Sequence, residues 1–243
     1  MNLLRTIVFM SYLFGYIFCH LPVLRRAEKA LAAGDQATVD AIVNQHVPHW
    51  CHTLLRIAGT SVTVEGRENI PAGRACVFVA NHRSYFDIPL MLTSLDRPHG
   101  LMAKHIVEKL PGVNRWMALL GCVYVKREDV RASMQALNTA TEYVAAGHSF
   151  SIFPEGTRHK GGEGTLGDWK GGAFRIAAKC GAPVVPVAIS HSRDCFENHH
   201  NLCTPTQVTV RILPAIETAG MSRAEQKALP EQARAAIQAA LQP

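Results

Sequence analysis

A histidine and an aspartate lie five positions apart in the heptapeptide Asn81-His82-Arg83-Ser84-Tyr85-Phe86-Asp87. A neutral imidazole can take a proton from a hydroxyl group, and a carboxylate at its other nitrogen fixes the tautomer and stabilises the imidazolium that forms. Ser84 lies between the two, so a Ser-His-Asp nucleophilic site is a second interpretation. A third is a helix that Asn81 and Asp87 cap and solvate beside an ordinary histidine. The heptapeptide alone leaves these interpretations open, because a two-residue pattern has a high false-positive rate.

The elements around the heptapeptide restrict its geometry. Five positions turn about 140° around an ideal α-helix, which would place the two side chains on different faces. His82 is therefore expected to precede the helix, after the apolar run 76–80 that is typical of a buried strand. Asn81 is predicted to be the N-cap residue, and Asp87 is predicted to lie in the early turns of the helix.

From residue 60 onward, short apolar runs alternate with helical stretches, which predicts an α/β domain at 59–243 with a mostly parallel sheet flanked by helices. The predicted strands are 61–65, 76–80, 100–103, 122–125, 150–153, 184–189 and 208–213, with helices between them at 87–95, 111–119, 129–146 and 171–179. Ligands of such sheets bind beyond the carboxyl ends of the strands. A capping box at 222–225 predicts a further, C-terminal helix.

Polar residues follow several of the predicted strands. His82 follows the second strand, Lys104 the third, and Lys126-Arg127 the fourth, while Pro154-Glu155-Gly156-Thr157-Arg158 follows the fifth. A base, an acid and several cations would thus meet at one edge. Each has an ordinary alternative as a solvated, paired or turn residue, so their convergence is the informative feature.

The stretch 153–158 has the composition of a phosphate-binding corner. Pro154 and Gly156 favour a tight turn with outward backbone N–H groups, and Arg158 can hold a phosphate through two parallel hydrogen bonds. A phosphomonoester is the natural ligand. The glycine-rich segment 159–167 that follows predicts a mobile loop, either a lid over substrate or a plain flexible connection.

Residues 1–58 are predicted to form a helical membrane-association motif. The apolar run 7–18 has no small-residue cleavage site, and it reaches the length of a transmembrane span only by including His20 and Pro22. An anchor lying in one leaflet therefore competes with a true span. A second helical stretch at 38–58 is either a membrane-interface helix or a core helix packed on the domain.

Composition narrows the class of partner. Hydrophobic residues make up 48% of the chain and charged residues only 18%, which favours membrane contact. The net charge of +6 favours an anionic partner, and the absence of a basic block or stripe argues against nucleic acid. Seven cysteines without a CxxC pair do not form a disulfide framework. The His and Cys residues at 46–52 and 191–203 lack a tetrahedral ligand motif, so no metal is expected.

Four segments in order resemble the blocks of the glycerolipid acyltransferases, and most closely the bacterial 1-acylglycerol-3-phosphate acyltransferases. They are the His-x4-Asp motif at 81–87 and the segments 121–127, 153–158 and 185–189; the segment 169–174 resembles a Lys-x-Gly-type stretch between the third and fourth blocks. The His-Asp pair alone is a weak signal, whereas four blocks in order are a specific one.

The resemblance implies roles for particular residues. His82 would deprotonate the free glycerol hydroxyl and Asp87 would orient it, so that the alkoxide attacks an acyl thioester directly and Ser84 has no nucleophilic role. The glycerol phosphate would be bound by residues of the second and third blocks, namely Arg127, Glu155, Gly156, Thr157 and Arg158. Lys104 joins this set from its strand-end position and its charge.

The expected reaction is transfer of a fatty acyl group from acyl-CoA or acyl carrier protein to 1-acylglycerol 3-phosphate, without a cofactor, giving phosphatidic acid. Alternatives are another acceptor, glycerol 3-phosphate or a lyso-aminolipid, or an anionic-lipid-binding protein without catalysis. The expected location is the cytoplasmic side of the inner membrane, where the site can open at the membrane surface.

Overall fold

Three helices precede the first strand, and further helices then alternate with strands. The computed structural model describes residues 1–95, 97–126 and 128–242. The helices in this part of the chain are α1 Asn2–Cys19, α2 Leu21–Ala32, α3 Gln36–Ala58, α4 Asp87–Ser94, α5 Val113–Leu119, α6 Val130–Ala145, α7 Gly172–Cys180 and α8 Arg223–Leu241. The strands are β1 Thr60–Glu65, β2 Val77–Ala80, β3 His99–Lys104, β4 Val123–Val125, β5 Ser149–Ile152, β6 Val184–Ser190 and β7 Thr206–Ile212. Every predicted strand is present, and so is each predicted helix.

The seven strands form one sheet in the order β1-β7-β6-β2-β5-β3-β4. All neighbouring pairs are parallel except β6 with β7, so the prediction of a mostly parallel α/β sheet is confirmed. β2 lies between β6 and β5, in the middle of the sheet. The connections that leave the carboxyl ends of these three strands therefore meet at the centre of one edge.

Both faces of the sheet are covered, which explains why the central strands are continuous apolar runs in the sequence. Alternate residues of β2 point to opposite faces: Phe78 packs in a cluster with side chains of α3 and α4, whereas Val77 and Val79 pack with side chains of α6, α7 and α8. Ser222 and Glu225 form the predicted capping box at the start of α8. The packing of buried residues on both faces stabilises the sheet. The sheet in turn positions the loops at the carboxyl ends of its strands.

α3 is a core helix rather than an exposed interface helix. Asp35 caps its first turn by accepting a hydrogen bond from the Thr38 N–H (3.1 Å), and Gly59 ends it in the left-handed conformation (φ 79°). It packs against α1, α2 and α4, and Trp50 is buried between them. Pro48 lies inside this continuous helix.

α1 presents an apolar face to the surroundings. Within the described residues it is the one helix that is long and apolar enough to cross a membrane, with a mean hydropathy of 1.4 and 11% of its residues buried. The large apolar side chains that it exposes are Leu3, Leu4, Ile7, Val8, Met10, Phe14 and Phe18. On its inner side, Phe9 stacks on Phe86 with ring centroids 5.6 Å apart. One face of the helix is therefore exposed, and the other packs against the turn that precedes α4.

Candidate active site

His82 and Asp87 are joined directly at the carboxyl end of β2. The His82 Nδ1 atom lies 2.7 Å from the Asp87 Oδ2 atom, and the same oxygen accepts hydrogen bonds from the backbone N–H groups of Arg83 (2.7 Å) and Ser84 (2.8 Å). Asp87 is fully buried as the first residue of α4, and its carboxylate closes the turn at 83–87. The prediction that His82 precedes the helix and bonds to Asp87 is confirmed.

The predicted helix cap at Asn81 is wrong. α4 begins six residues later, at Asp87, and the Asn81 side chain bridges two strands instead: its Nδ2 donates to the Ile189 carbonyl, and its Oδ1 accepts from the Ile189 N–H, both at 2.8 Å. A buried amide with both groups paired to one backbone residue is satisfied without a helix. Asn81 therefore holds the end of β2 against β6.

The imidazole of His82 is held in one orientation and one tautomer. A carboxylate accepts only, so Nδ1 carries the proton and Nε2 is left as the basic nitrogen. The ring stacks on Phe153 with centroids 4.2 Å apart, and 18% of the side chain is exposed. This is the arrangement of a general base that a hydroxyl group can approach.

Glu155 supports His82 from the loop after β5. Its Oε1 accepts the backbone N–H of His82 (2.9 Å), and its Oε2 accepts the N–H of Gly167 (3.1 Å). Burial raises the pKa of this carboxyl, and the two backbone hydrogen bonds act in the opposite direction. Gly156, with φ 67°, makes the turn that follows. Both Glu155 oxygens are thus engaged with the backbone, and contact of this residue with a substrate stays a prediction.

Arg158 lies beside the turn at 83–87, and two groups hold its guanidinium. Its Nη1 donates to Glu197 Oε1 (2.9 Å), and its Cζ lies 3.6 Å from the centre of the Tyr85 ring. About a third of its side chain is exposed. The Ser84 hydroxyl is buried and donates to Glu197 Oε2 (2.7 Å), so that hydroxyl is committed to a carboxylate other than Asp87. The geometry places an imidazole and a guanidinium at one edge of the sheet, and the Ser84 hydroxyl is not bonded to the imidazole.

A model of the family described as Acyltransferase matches residues 61–190, which include the His-Asp turn and the Glu155 to Arg158 loop. The chain belongs to the Acyltransferase family. The match ends before Glu197, so the residue that holds Arg158 lies outside the matched residues.

Individual members resemble the chain to different extents. A chloroplastic 1-acyl-sn-glycerol-3-phosphate acyltransferase of Brassica napus is 41% identical over 127 residues, which are 52% of this chain and 36% of that protein. The protein of that name from Borreliella burgdorferi is 29% identical over 175 residues, 72% of this chain and 69% of its own length. The chain therefore spans about a third of the plant relative and about two thirds of the bacterial one.

One solved acyltransferase has the same fold over nearly the whole chain. The crystal structure of the 1-acyl-sn-glycerophosphate acyltransferase PlsC from Thermotoga maritima is similar with a TM-score of 0.80 and 29% sequence identity. The similarity covers 99% of this acyltransferase and 96% of the Thermotoga chain. The N-terminal helices are thus part of an architecture that the two proteins share.

Two other predicted phosphate ligands, Lys104 and Thr157, are exposed at this edge. Lys104 is exposed at the end of β3, two strands from β2, and Thr157 is exposed in the loop after β5. The pKa of the Glu128 carboxyl is lowered by a hydrogen bond from the backbone N–H of the same residue. The nearby charges of Lys104, His105 and Lys126 lower this pKa further. Arg127, predicted to bind the phosphate, lies outside the described residues.

Arg83 has a structural role in the site that sequence reasoning missed. Its guanidinium is buried and donates from Nη1 to the Gly162 carbonyl (2.7 Å) and from Nη2 to the Gly161 carbonyl (2.8 Å), while its Nε lies 3.4 Å from a Glu163 carboxylate oxygen. These contacts hold the loop 159–167 against the turn at 83–87. The glycines of the loop alone predict a mobile segment. Arg83, next to His82, therefore anchors this loop.

Proposed function

We propose that this protein transfers a fatty acyl group from an acyl thioester to the free hydroxyl of 1-acylglycerol 3-phosphate, giving phosphatidic acid. The observation that carries the proposal is the hydrogen bond of 2.7 Å between His82 Nδ1 and Asp87 Oδ2, which leaves Nε2 as a base at the strand edge. Arg158 beside it supplies a cation for the acceptor's phosphate. A protein that only binds lipid needs no such base.

The reaction follows from these positions. His82 Nε2 takes the proton of the acceptor hydroxyl, and the oxygen attacks the carbonyl carbon of the thioester. The carbon–sulfur bond breaks, and the thiolate leaves with the proton that the imidazolium returns. Asp87 stabilises the imidazolium during the step, as the carboxylate of a catalytic triad does. A thioester is already activated, so no acyl-enzyme intermediate is required and Ser84 has no chemical role.

Membrane association follows from the lipid substrate and from α1. The exposed apolar side chains of α1 support insertion into a leaflet, and the exposed Arg25 and Arg26 of the following helix, α2, favour an anionic one. We place the protein at the cytoplasmic side of the inner membrane, where acyl-CoA and acyl carrier protein are available as donors. Flotation with vesicles checks this: the unchanged chain is expected to float, and a variant with Ile7→Asp and Phe14→Asp is expected to stay in the soluble fraction.

The proposed function is tested by incubating the purified chain with acyl donors and acceptors and measuring the thiol that is released from the donor. Oleoyl-CoA and oleoyl carrier protein are the donors, and the acceptors are 1-acylglycerol 3-phosphate, glycerol 3-phosphate and a lyso-aminolipid. The highest kcat/KM is expected for 1-acylglycerol 3-phosphate. A preference for one of the other acceptors would change the substrate, and the absence of turnover with every pair would leave a lipid-binding protein and overturn the proposal.

A further inference from the structure

Glu197 is a nearly buried carboxylate next to the catalytic turn, and nothing in the proposed reaction uses it. It lies in the loop after β6, and only 7% of its side chain is exposed. Burying a carboxylate is unfavourable unless donors satisfy it. The donors that surround Glu197 therefore indicate what the residue does.

Three donors converge on Glu197 from the two loops of the site. Its Oε1 accepts the backbone N–H of Tyr85 and the Nη1 group of Arg158, both at 2.9 Å, and its Oε2 accepts the Ser84 hydroxyl at 2.7 Å. Ser84 and Tyr85 belong to the turn between His82 and Asp87, and Arg158 belongs to the loop after β5. Glu197 therefore joins the turn that carries the base to the loop that carries the cation.

Tyr85 restrains the same guanidinium from a second direction. Its ring, 58% exposed, lies under Arg158 with the Cζ atom 3.6 Å from the ring centre, which is a close cation–π contact. Glu197 thus holds one edge of the guanidinium and Tyr85 covers one face. A guanidinium has five N–H donors in a fixed fork, so the contact at Nη1 leaves donors on the other edge for a ligand.

We propose that Glu197, together with Tyr85, is a positioning residue that fixes Arg158 for the phosphate of the acceptor. The inference rests on the proposed function, in which Arg158 binds that phosphate. Because the Glu197 carboxylate also bonds to Ser84 and Tyr85, its charge is shared among three donors. A phosphate can therefore join Arg158 without displacing Glu197, and the distance between base and phosphate site stays set by one side chain.

The test compares KM for 1-acylglycerol 3-phosphate with kcat and with KM for oleoyl-CoA. Glu197→Ala and Tyr85→Leu are expected to raise KM for the acceptor, by about tenfold for Glu197→Ala, since a charged hydrogen bond orients the guanidinium. The KM for oleoyl-CoA stays near that of the unchanged chain, and the melting temperature stays unchanged for Tyr85→Leu, whose side chain is largely exposed. Glu197→Gln keeps an acceptor oxygen for Arg158 and is expected to restore KM to within about threefold.

Asp194→Asn is the matched control, because it removes a carboxylate from the same loop that bonds to Asn198 and His191 instead of Arg158. Its KM for the acceptor is expected to be unchanged. A double-mutant cycle with Arg158→Met checks the mechanism: in that background Glu197→Ala should have no further effect on KM.

The outcomes separate the two proposals. If the unchanged chain does not use 1-acylglycerol 3-phosphate, the proposed function and this inference both fail. If the unchanged chain is active but Glu197→Ala and Tyr85→Leu leave its KM unaltered, the inference alone is overturned. An equal effect of Glu197→Ala with and without Arg158 would also overturn it. Should Glu197→Ala fail to fold, Tyr85→Leu carries the same test, because Tyr85 is largely exposed.

Discussion

Two histidines at opposite ends of the sheet differ in the surroundings of their rings. His82 follows the carboxyl end of β2 and donates its Nδ1–H to the Asp87 carboxylate. His99 begins β3 at the opposite edge and donates its Nδ1–H to the backbone carbonyl of Arg97 (3.0 Å). His82 is partly exposed, whereas His99 is fully buried and burial lowers its pKa to about 4. The two rings therefore differ in the oxygen to which each is bonded and in their exposure to solvent. Both differences follow from the end of the strand at which each histidine lies.

The largest expected effect is that of His82→Ala on the reaction. Thiol release should fall by about 10³-fold, because general-base catalysis of this kind contributes 10²–10⁴-fold. The melting temperature should change little, since His82 is at the edge of the sheet and partly exposed. His52→Ala, an exposed histidine of α3, is the control and should retain full rate. A variant of His82 with unimpaired turnover would show that the base has been assigned to the wrong residue.

His99 should influence stability instead of rate. A pKa of about 4 in the folded chain, against 6.5 in the unfolded chain, means that the unfolded chain binds protons first as the pH falls. The contribution of neutral His99 is complete above about pH 6.5, and about 3 kcal/mol is lost by about pH 4. Chemical unfolding of the unchanged chain and of His99→Leu, measured in detergent at several pH values, checks this. The difference between the two free energies should vary with pH in this window, and a constant difference would contradict it.

Glu155→Gln distinguishes positioning of the base from contact with substrate. An amide can accept only one of the two backbone N–H groups that the carboxylate accepts, so His82 or Gly167 loses a partner. We expect kcat to fall by about tenfold with little change in the KM for the acceptor. A rise in KM at constant kcat would instead favour the substrate-binding role that the sequence predicts for Glu155.

Lys104→Ala should have the smallest effect. The side chain is exposed, so its attraction for the acceptor's phosphate is weakened by solvent and by salt. We expect KM for 1-acylglycerol 3-phosphate to rise by about threefold at low salt and to match that of the unchanged chain at about 0.5 M salt. Lys160→Ala, another exposed lysine, serves as the control. Equal effects of the two substitutions would mean that Lys104 acts only through net charge.

The strands and the position of His82 before the helix were predictable because their signals are local. Central parallel strands are short apolar runs, and the spacing of His82 and Asp87 excludes a shared helix face, which places the histidine in a turn. The mostly parallel sheet followed from the alternation of strands and helices. The order of the strands and the reversed direction of β7 relative to β6 could not be predicted from this alternation, because pairing between distant strands leaves little trace in a single sequence.

The residues that sequence reasoning missed act over long separations. Glu197 lies 113 positions from Ser84, and the sequence around it offers no local reason to single it out. Nothing in the heptapeptide indicates a role for Arg83, whose guanidinium is buried under the loop 159–167. Asn81 has the right type for a helix cap, yet its amide pairs with Ile189 on the next strand. In each case a tertiary partner overrides the local preference.

The first turns of α1 are tied to the loop that carries Glu197. The Asn2 side chain donates to the Thr204 hydroxyl (3.0 Å), and the Thr6 hydroxyl accepts the Cys203 N–H (2.8 Å). The helix with the apolar outer face and the carboxylate beside Arg158 are therefore connected by a few residues of one loop. Because we propose that this helix inserts into lipid and that Arg158 binds the phosphate, we expect a change in the depth or tilt of the helix to act on Arg158 through this loop, which would make the physical state of the lipid a variable of the proposed reaction.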